Sequence, residues 1–277
     1  MRNTPFVLIT GASHGLGKSL ALECAARNKN LVLVALPASG LTELTKFIRS
    51  NFDVNVVDFE MDLSIKDNCV SLFTELRRRG LPLNILINNA GIGGTHLFDE
   101  KDSEFYYRQI ELNVAAPTLL CRLFLDTLCE NSPSYILNVS SLAGFLPLPR
   151  KQVYGGTKSY LISFSKSLRQ ELIQRNIHVS VLCPGGMNTT IPITLQNKNG
   201  TWIGRMTIMN PDVVARIAID NMLRKKEVII PGFLNKCLLF LDHFLPAIVK
   251  DKLTSRISDK IKLDEIARMI QGIRPVN

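Results

Sequence analysis

Short runs of β-branched and leucine-rich residues recur along the chain at Phe6–Thr10, Leu31–Leu36, Val54–Phe59, Leu83–Asn88, Tyr135–Ser140, His178–Cys183 and Val228–Pro231. Their apolar positions are continuous rather than alternating, the pattern of strands buried on both faces. Stretches with helical spacing lie between them, at about 15–28, 39–51, 65–79, 101–130, 152–175 and 211–226. The strand–helix alternation predicts an α/β fold, a Rossmann-type doubly wound parallel sheet with helices on both sides, in a single domain over 1–277. Gly185 to Asn210 lacks this periodicity and is too long for an ordinary connection, which makes it a candidate lid or substrate loop. Beyond residue 232 the chain continues as a helical C-terminal extension to residue 277.

Composition narrows the class. With 277 residues, 46% hydrophobic and 21% charged, the chain has enough apolar surface for a sizeable core, which excludes disorder and collagen-like repeats. Six cysteines, Cys24, Cys69, Cys121, Cys129, Cys183 and Cys237, stand far apart with no C-x-x-C pair. That spacing predicts neither a disulfide framework nor a zinc site, and points to a reducing, cytoplasmic location. The first apolar run is too short for a signal-peptide core. The longest, Phe233 to Val249, contains Lys236, Asp242 and His243 and falls short of the ~20 apolar residues a spanning helix needs. The net charge of +9 is compatible with nucleic acid, an anionic membrane surface or an anionic cofactor. Residues 224–277 carry 11 Lys/Arg and 6 Asp/Glu, yet no zinc-finger or RNA-binding aromatic signature accompanies them, so nucleic acid is set aside.

The chemistry concentrates at predicted strand ends. The first strand runs into Thr10-Gly11-Ala12-Ser13-His14-Gly15-Leu16-Gly17 and then a helix, the context in which glycines let backbone approach a pyrophosphate at a helix N-terminus. The same glycines also serve a plain strand-to-helix turn. Asp62 after the third strand and Asn88-Asn89-Ala90-Gly91 after the fourth lie where ligands of open α/β sheets sit; as isolated residues they equally read as turn or cap residues. Tyr154 and Lys158, four apart near a helix start, project from one face, so an ammonium near the phenol favours the phenolate. Ser141 and Ser140 at the end of the fifth strand compete as the hydroxyl that positions a carbonyl.

T-G-x-x-x-G-x-G, N-N-A-G, Asn113 in the long middle helix, Ser-Ser-x-Ala-Gly, Y-x-x-x-K and a later Pro-Gly, in this order and spacing, resemble the short-chain dehydrogenase/reductase family over about residues 5 to 231. The stretch Ala143 to Pro149 and the tail Ile230 to Lys236 are similar to a bacterial ketoreductase-like branch. The resemblance implies an NAD(P)-dependent oxidoreductase interconverting a carbonyl and a secondary alcohol. It assigns Tyr154 as proton donor or acceptor and Lys158 as its electrostatic partner. By its spacing Ser141, rather than Ser140, binds the carbonyl, which leaves Ser140 a turn residue whose hydroxyl bonds local backbone, and Asn113 holds a water leading from Lys158 to solvent. It implies cofactor contacts from Gly11, Ser13, His14, Gly15, Leu16 and Gly17, from Asp62 and Leu63, from Asn89, Ala90 and Gly91, from Tyr154 and Lys158, and from Pro184, Gly185 and Thr189. It also implies a homodimer or homotetramer formed through the helices at 101–130 and 152–175, where Leu119, Leu120, Phe124, Leu161 and Phe164 either offer an apolar interface or are simply buried core.

Two features stay open in the sequence. After the second strand the chain reads Val34-Ala35-Leu36-Pro37-Ala38-Ser39, with neither the acid that rejects a 2′-phosphate nor the base that clamps it, so NADP or NAD fits, and the missing acid leans toward NADP. Gly155-Gly156 inside the active-site helix costs ~1 kcal/mol per glycine and calls for something that needs the space. Apolar residues in 185–210 and in the tail favour a hydrophobic or acyl-type ketone. The tail, with Lys250, Lys252 and Arg256 after its apolar stretch, reads as a substrate cover, an oligomer contact or a peripheral membrane contact. The competing class is a nonenzymatic nicotinamide-sensing Rossmann protein.

Overall fold

A computed structural model describes residues 4–187 and 207–244. Seven strands, β1 (Phe6–Thr10), β2 (Asn30–Ala35), β3 (Val56–Glu60), β4 (Leu83–Asn88), β5 (Ser134–Val139), β6 (Ile177–Leu182) and β7 (Val228–Ile229), form one sheet in the order 3-2-1-4-5-6-7. Every pairing is parallel. The continuous apolar runs now have their reason: successive residues of each strand feed opposite cores. Val7, Ile9, Leu31, Leu33, Ile85 and Ile87 face one core, while Phe6, Leu8, Val32, Val34, Leu83 and Leu86 face the other.

Helices α1 (Gly15–Ala26), α2 (Leu41–Asn51) and α8 (Pro211–Leu223) supply residues to the first core, and α3 (Lys66–Arg78), α5 (Ala116–Leu123), α6 (Leu125–Glu130) and α7 (Gln152–Leu172) to the second. The stretch expected as one helix at 101–130 is broken. It runs as α4 (Ser103–Ile110), a π-helical turn at Glu111–Ala115, α5 and then α6 after a break at Phe124. The π turn carries Asn113, and such insertions re-aim a side chain without ending the helix. The break at Phe124 follows from packing, since its ring is fully buried and edge-on to Phe73 of α3 at 5.3 Å.

The aperiodic segment enters and leaves at one place, because Met187 bridges Met209 and Met209 N–H donates to the Gly186 carbonyl at 3.1 Å. Residues 188–206 lie outside the described part of the chain, as do Thr189 and most of the candidate lid. Of the C-terminal extension the structure describes α9 (Phe233–Phe244). Among the described residues no helix is long and apolar enough to cross a membrane.

Candidate active site

The β1–α1 turn and the end of β4 interlock. Asn89 Nδ2 donates to the carbonyls of Thr10 (2.9 Å) and Gly11 (3.1 Å), and the Thr10 hydroxyl accepts the Asn89 and Ala90 N–H groups, both at 3.0 Å. Side chains are excluded between them. A Cβ on Gly17 would lie 1.9 Å from the Gly11 oxygen and 2.6 Å from Asn89 Nδ2, and one on Gly11 would lie 2.9 Å from Ala90 Cα. Gly11 and Gly15 also take positive φ, +65° and +51°, which glycine alone adopts cheaply. α1 then starts with no side-chain cap and no acid in its first turn, a cradle suited to a pyrophosphate. Asn89, read from sequence as a cofactor contact, spends its amide on holding this cradle closed. Thr10 was missed; its signal was its place immediately before Gly11 at a strand end.

Across the crevice, at the ends of β4 and β5, polar side chains build the other half. Asn88 Nδ2 donates to Asn138 Oδ1 at 2.8 Å, and Asn138 Nδ2 to Ser165 Oγ at 2.9 Å. Ser140 Oγ donates to the Lys158 carbonyl at 2.7 Å, a tie to α7 from 18 residues away rather than the local turn bond expected of it. Ser141 is thereby the serine left for chemistry. Its Oγ accepts the Ala143 N–H at 3.2 Å, and its hydroxyl acts on the Tyr154 phenol in the direction that favours the phenolate.

Lys158 is 4% exposed and Nζ donates to the Val139 carbonyl at 2.9 Å. Burial lowers its pKa to about 8, against a small opposing pull from Cys183. Nζ lies 5.6 Å from the Tyr154 ring centroid. Tyr154 itself is pushed above the ordinary phenol range by burial, with the Ser141 bond acting in the other direction. The expected lowering by the ammonium is therefore not met in this arrangement: burial of the phenol sets the direction, and the Lys158 charge is directed at a backbone carbonyl. Asn113, 1% exposed, clamps Ile92 from both sides, Oδ1 accepting its N–H at 2.8 Å and Nδ2 donating to its carbonyl at 3.0 Å. Nδ2 also meets Thr157 Oγ1 at 3.1 Å, and Gly91 packs between Asn113 and Lys158.

The remaining predicted residues divide. Ser13 and His14 bond each other beside the glycine turn, Oγ to Nδ1 at 2.9 Å, and Leu16 is buried beneath it. Pro184 lies at the end of β6, its carbonyl accepting the Leu142 N–H at 2.9 Å, and Gly185 packs on Asn235. Leu63 is buried. The Asp62 carboxylate is already engaged, by the Ser64 N–H (3.0 Å) and hydroxyl (2.7 Å) and by Arg108 at 2.6 Å. Burial raises its pKa, but these partners prevail and hold it below the usual carboxylate range. At Leu36 to Gly40 the turn closes through Ser39 Oγ on the Leu36 carbonyl, 2.6 Å, with neither acid nor base in it. Of the apolar residues assigned to an interface, Leu120, Phe124 and Leu161 are core, and Leu119 and Phe164 pack against it. The structure thus selects the core reading of the two, since their periodicity is that of the buried face.

The short chain dehydrogenase family model matches residues 5–200. The chain is 29% identical over 230 residues to an NADP-dependent 3-hydroxy acid dehydrogenase of Schizosaccharomyces pombe, covering 81% of this chain and 89% of that protein. With a very-long-chain 3-oxoacyl-CoA reductase of Rattus norvegicus it shares 31% identity over 183 residues, 65% of this chain and 58% of the longer relative. The solved short-chain dehydrogenase from Sphingobium yanoikuyae in complex with NADPH is 29% identical with a TM-score of 0.75, covering 87% of this chain and 96% of that one.

Proposed function

The chain belongs to the short-chain dehydrogenase family, and from that premise we propose that it interconverts a carbonyl and a secondary alcohol with Tyr154 as acid and base. It is an NAD(P)-dependent oxidoreductase. The cofactor fits the residues present, because the side-chain-free surface of Gly11 and Gly17 and the uncapped start of α1 suit a pyrophosphate. When bound, the nicotinamide supplies or accepts the hydride. Gly11, Ser13, His14, Gly15, Leu16 and Gly17 would hold the phosphates, Asp62, Leu63, Asn89, Ala90 and Gly91 would border the adenosine side, and Pro184, Gly185 and Thr189 the carboxamide end. Absence of an acid at Leu36 to Gly40, together with the cofactor named for two of the relatives, favours NADP.

The grouping of Lys158 Nζ, 5.6 Å from the ring centroid, and the Ser141 hydroxyl about the Tyr154 phenol carries the reading. A substrate carbonyl taking the place between hydroxyl and phenol receives one hydrogen bond from Ser141 and the phenolic proton from Tyr154; in oxidation Tyr154 takes that proton back. Lys158, charged below about pH 8, stabilises the phenolate formed in reduction. Asn113 sets the Gly91–Ile92 backbone and borders the route by which Lys158 exchanges protons with water. A hydrophobic or acyl-type ketone is the proposed substrate, in keeping with the long-chain relative. Six free cysteines agree with a reducing, cytoplasmic setting. Homo-oligomer contacts move to the exposed Tyr107, Ile110 and Tyr160 of α4 and α7.

Tyr154→Phe keeps the ring and deletes the proton. Turnover of a ketone panel, followed by NADPH absorbance, should fall by ~10²–10⁴ while fluorescence titration shows NADPH still bound. Unchanged turnover removes Tyr154 from the mechanism.

A further inference from the structure

A helix on the surface of a soluble fold turns its apolar stripe toward the core. Helix α9 does the reverse. Phe233, Phe240 and Phe244, spaced i, i+7 and i+11, share one face. At 78%, 65% and 67% exposure they are the three most exposed large apolar side chains among the described residues. Leu241 and Leu234, also exposed, widen the same face. The Phe240 and Phe244 rings meet edge-on at 4.9 Å, which makes the patch continuous. A contiguous exposed apolar patch of this kind marks an interaction site.

The opposite side of α9 is fixed to the rest of the protein. Asn235 is 1% exposed; its Nδ2 donates to the carbonyls of Pro231 at 2.8 Å and Thr207 at 3.4 Å, and its amide packs on Gly185, just past the end of β6. The Met209 sulfur packs on Gly232. α9 is thereby seated at the C-terminal ends of the strands, where the crevice opens, with its phenylalanines turned outward.

Charge selects the occupant of this face. Lys236, one turn before Phe240, is exposed. The sole acid of the helix, Asp242, stands seven residues after Asn235 and so on the anchored side. In the chain that follows, Lys250, Lys252, Arg256, Lys260 and Lys262 stand against only Asp251 and Asp259. A second copy would bring the same basic surplus against itself. A phenylalanine face bordered by cations is the composition of a helix lying in a membrane interface, and α9, at 12 residues, is too short to cross the ~30 Å core of a bilayer.

We propose that α9 docks this protein on an anionic lipid surface, its phenylalanines entering the acyl boundary and its basic neighbours meeting the headgroup phosphates. The mouth of the crevice is then held at the membrane. Docking needs no turnover, so it stands or falls apart from the chemistry assigned to Tyr154.

The test floats the full chain with vesicles of phosphatidylcholine alone and of phosphatidylcholine with about 30% phosphatidylglycerol, at ~0.05 M and ~0.5 M NaCl. Wild type should partition about tenfold or more in favour of the anionic vesicles, an advantage that shrinks at high salt. Phe240→Ser/Phe244→Ser should weaken binding to them about tenfold or more, and Lys250→Gln/Lys252→Gln/Arg256→Gln should lose most of the preference for phosphatidylglycerol. NADPH affinity, Tm and sedimentation of both variants should match wild type. No flotation of wild type, equal flotation with both vesicles, undiminished binding of the serine variant or an unchanged preference in the glutamine variant overturns the docking. So does a Tm loss of several degrees in the serine variant, which means that the chain itself covers the face, or a drop in its oligomeric state, which means that a second copy does.

Discussion

The two walls of the crevice are built on opposite principles. At the β1–α1 turn the wall is made by omission: Gly11 and Gly17 stand where a side chain would collide with backbone, and one asparagine amide locks the result. At the β5–α7 corner the wall is made by addition: Asn88, Asn138, Ser140, Asn113, Thr157 and Lys158 are all buried polar groups that hold one another or backbone in place. The first wall needs shape to receive a ligand recognised through phosphate and backbone. The second needs fixed polar groups to move a proton, and buried polar networks are costly unless their members are partnered. The first should therefore fail by steric clash, whatever the pH, and the second by loss of a partner or a charge.

The largest effect expected on this contrast comes from the first wall. Gly17→Val places a branched side chain where even a Cβ would sit 1.9 Å from the Gly11 oxygen, so α1 must shift away from the turn. Overpacking of this kind costs ~1–3 kcal/mol or more, and the displaced helix start no longer receives a pyrophosphate. Urea unfolding should show the loss, and NADPH titration should show no binding. Near-wild-type affinity would mean that the cradle is not shaped by this contact, and the contrast would collapse.

How far each wall was legible in the chain follows the same division. Backbone shape leaves glycines in the sequence, so the turn, the strand from Phe6 to Thr10 and the parallel, doubly wound sheet could be read directly. Polar networks form between residues far apart, and pattern carries little of that. Ser140 read as a turn residue because its partner carbonyl is 18 positions away; Asn89 read as a ligand contact although its amide closes the turn. Periodicity marked Leu120, Phe124 and Leu161 as apolar without telling core from interface, and it ran through the π turn that aims Asn113.

The second wall offers a charge to test. Burial brings the Lys158 pKa down to about 8 in the folded protein, against the ordinary lysine value of 10.5. Between those values the unfolded chain binds a proton that the folded one does not, so this residue's contribution to stability rises with pH through that window. The buried thiols work against it from about pH 8 upward: folded Cys24, Cys121 and Cys183 keep their protons to about 12 and Cys69 to about 11, while unfolded thiols, with an ordinary value of 9.0, release theirs. Wild type and Lys158→Met share this contribution, so the difference between them isolates Lys158 over the interval from about pH 7.5 to 9. Across it the unfolding free energy of cofactor-free wild type should gain about 1 kcal/mol relative to Lys158→Met. Parallel curves for the two proteins would mean that Lys158 is not held in a water-poor site.

The smallest effect belongs to the helix that carries the second wall but lies on its far side. Gly155 and Gly156 occupy consecutive positions in α7, and their surroundings differ. A Cβ on Gly155 would come within 3.1 Å of the Ala143 carbonyl oxygen, next to the turn that holds Ser141, whereas one on Gly156 would meet nothing within 4 Å. Gly156 faces a hollow of ≈ 440 Å³ lined by Phe145, Leu146, Pro147 and Leu148. Glycine in a helix interior costs ~1 kcal/mol relative to alanine, part of it through the freedom of the unfolded chain. Gly156→Ala should recover ~0.5–1 kcal/mol, a small rise in Tm with kcat unchanged, because it adds a methyl group to open space. Gly155→Ala should recover less, since the Ala143 carbonyl must give way, and its cost should surface in kcat through Ser141. If Gly156→Ala destabilises instead, the hollow is occupied in solution; if the two alanines behave alike, α7 does not sense Ala143, and the link from helix packing to the position of Ser141 is absent.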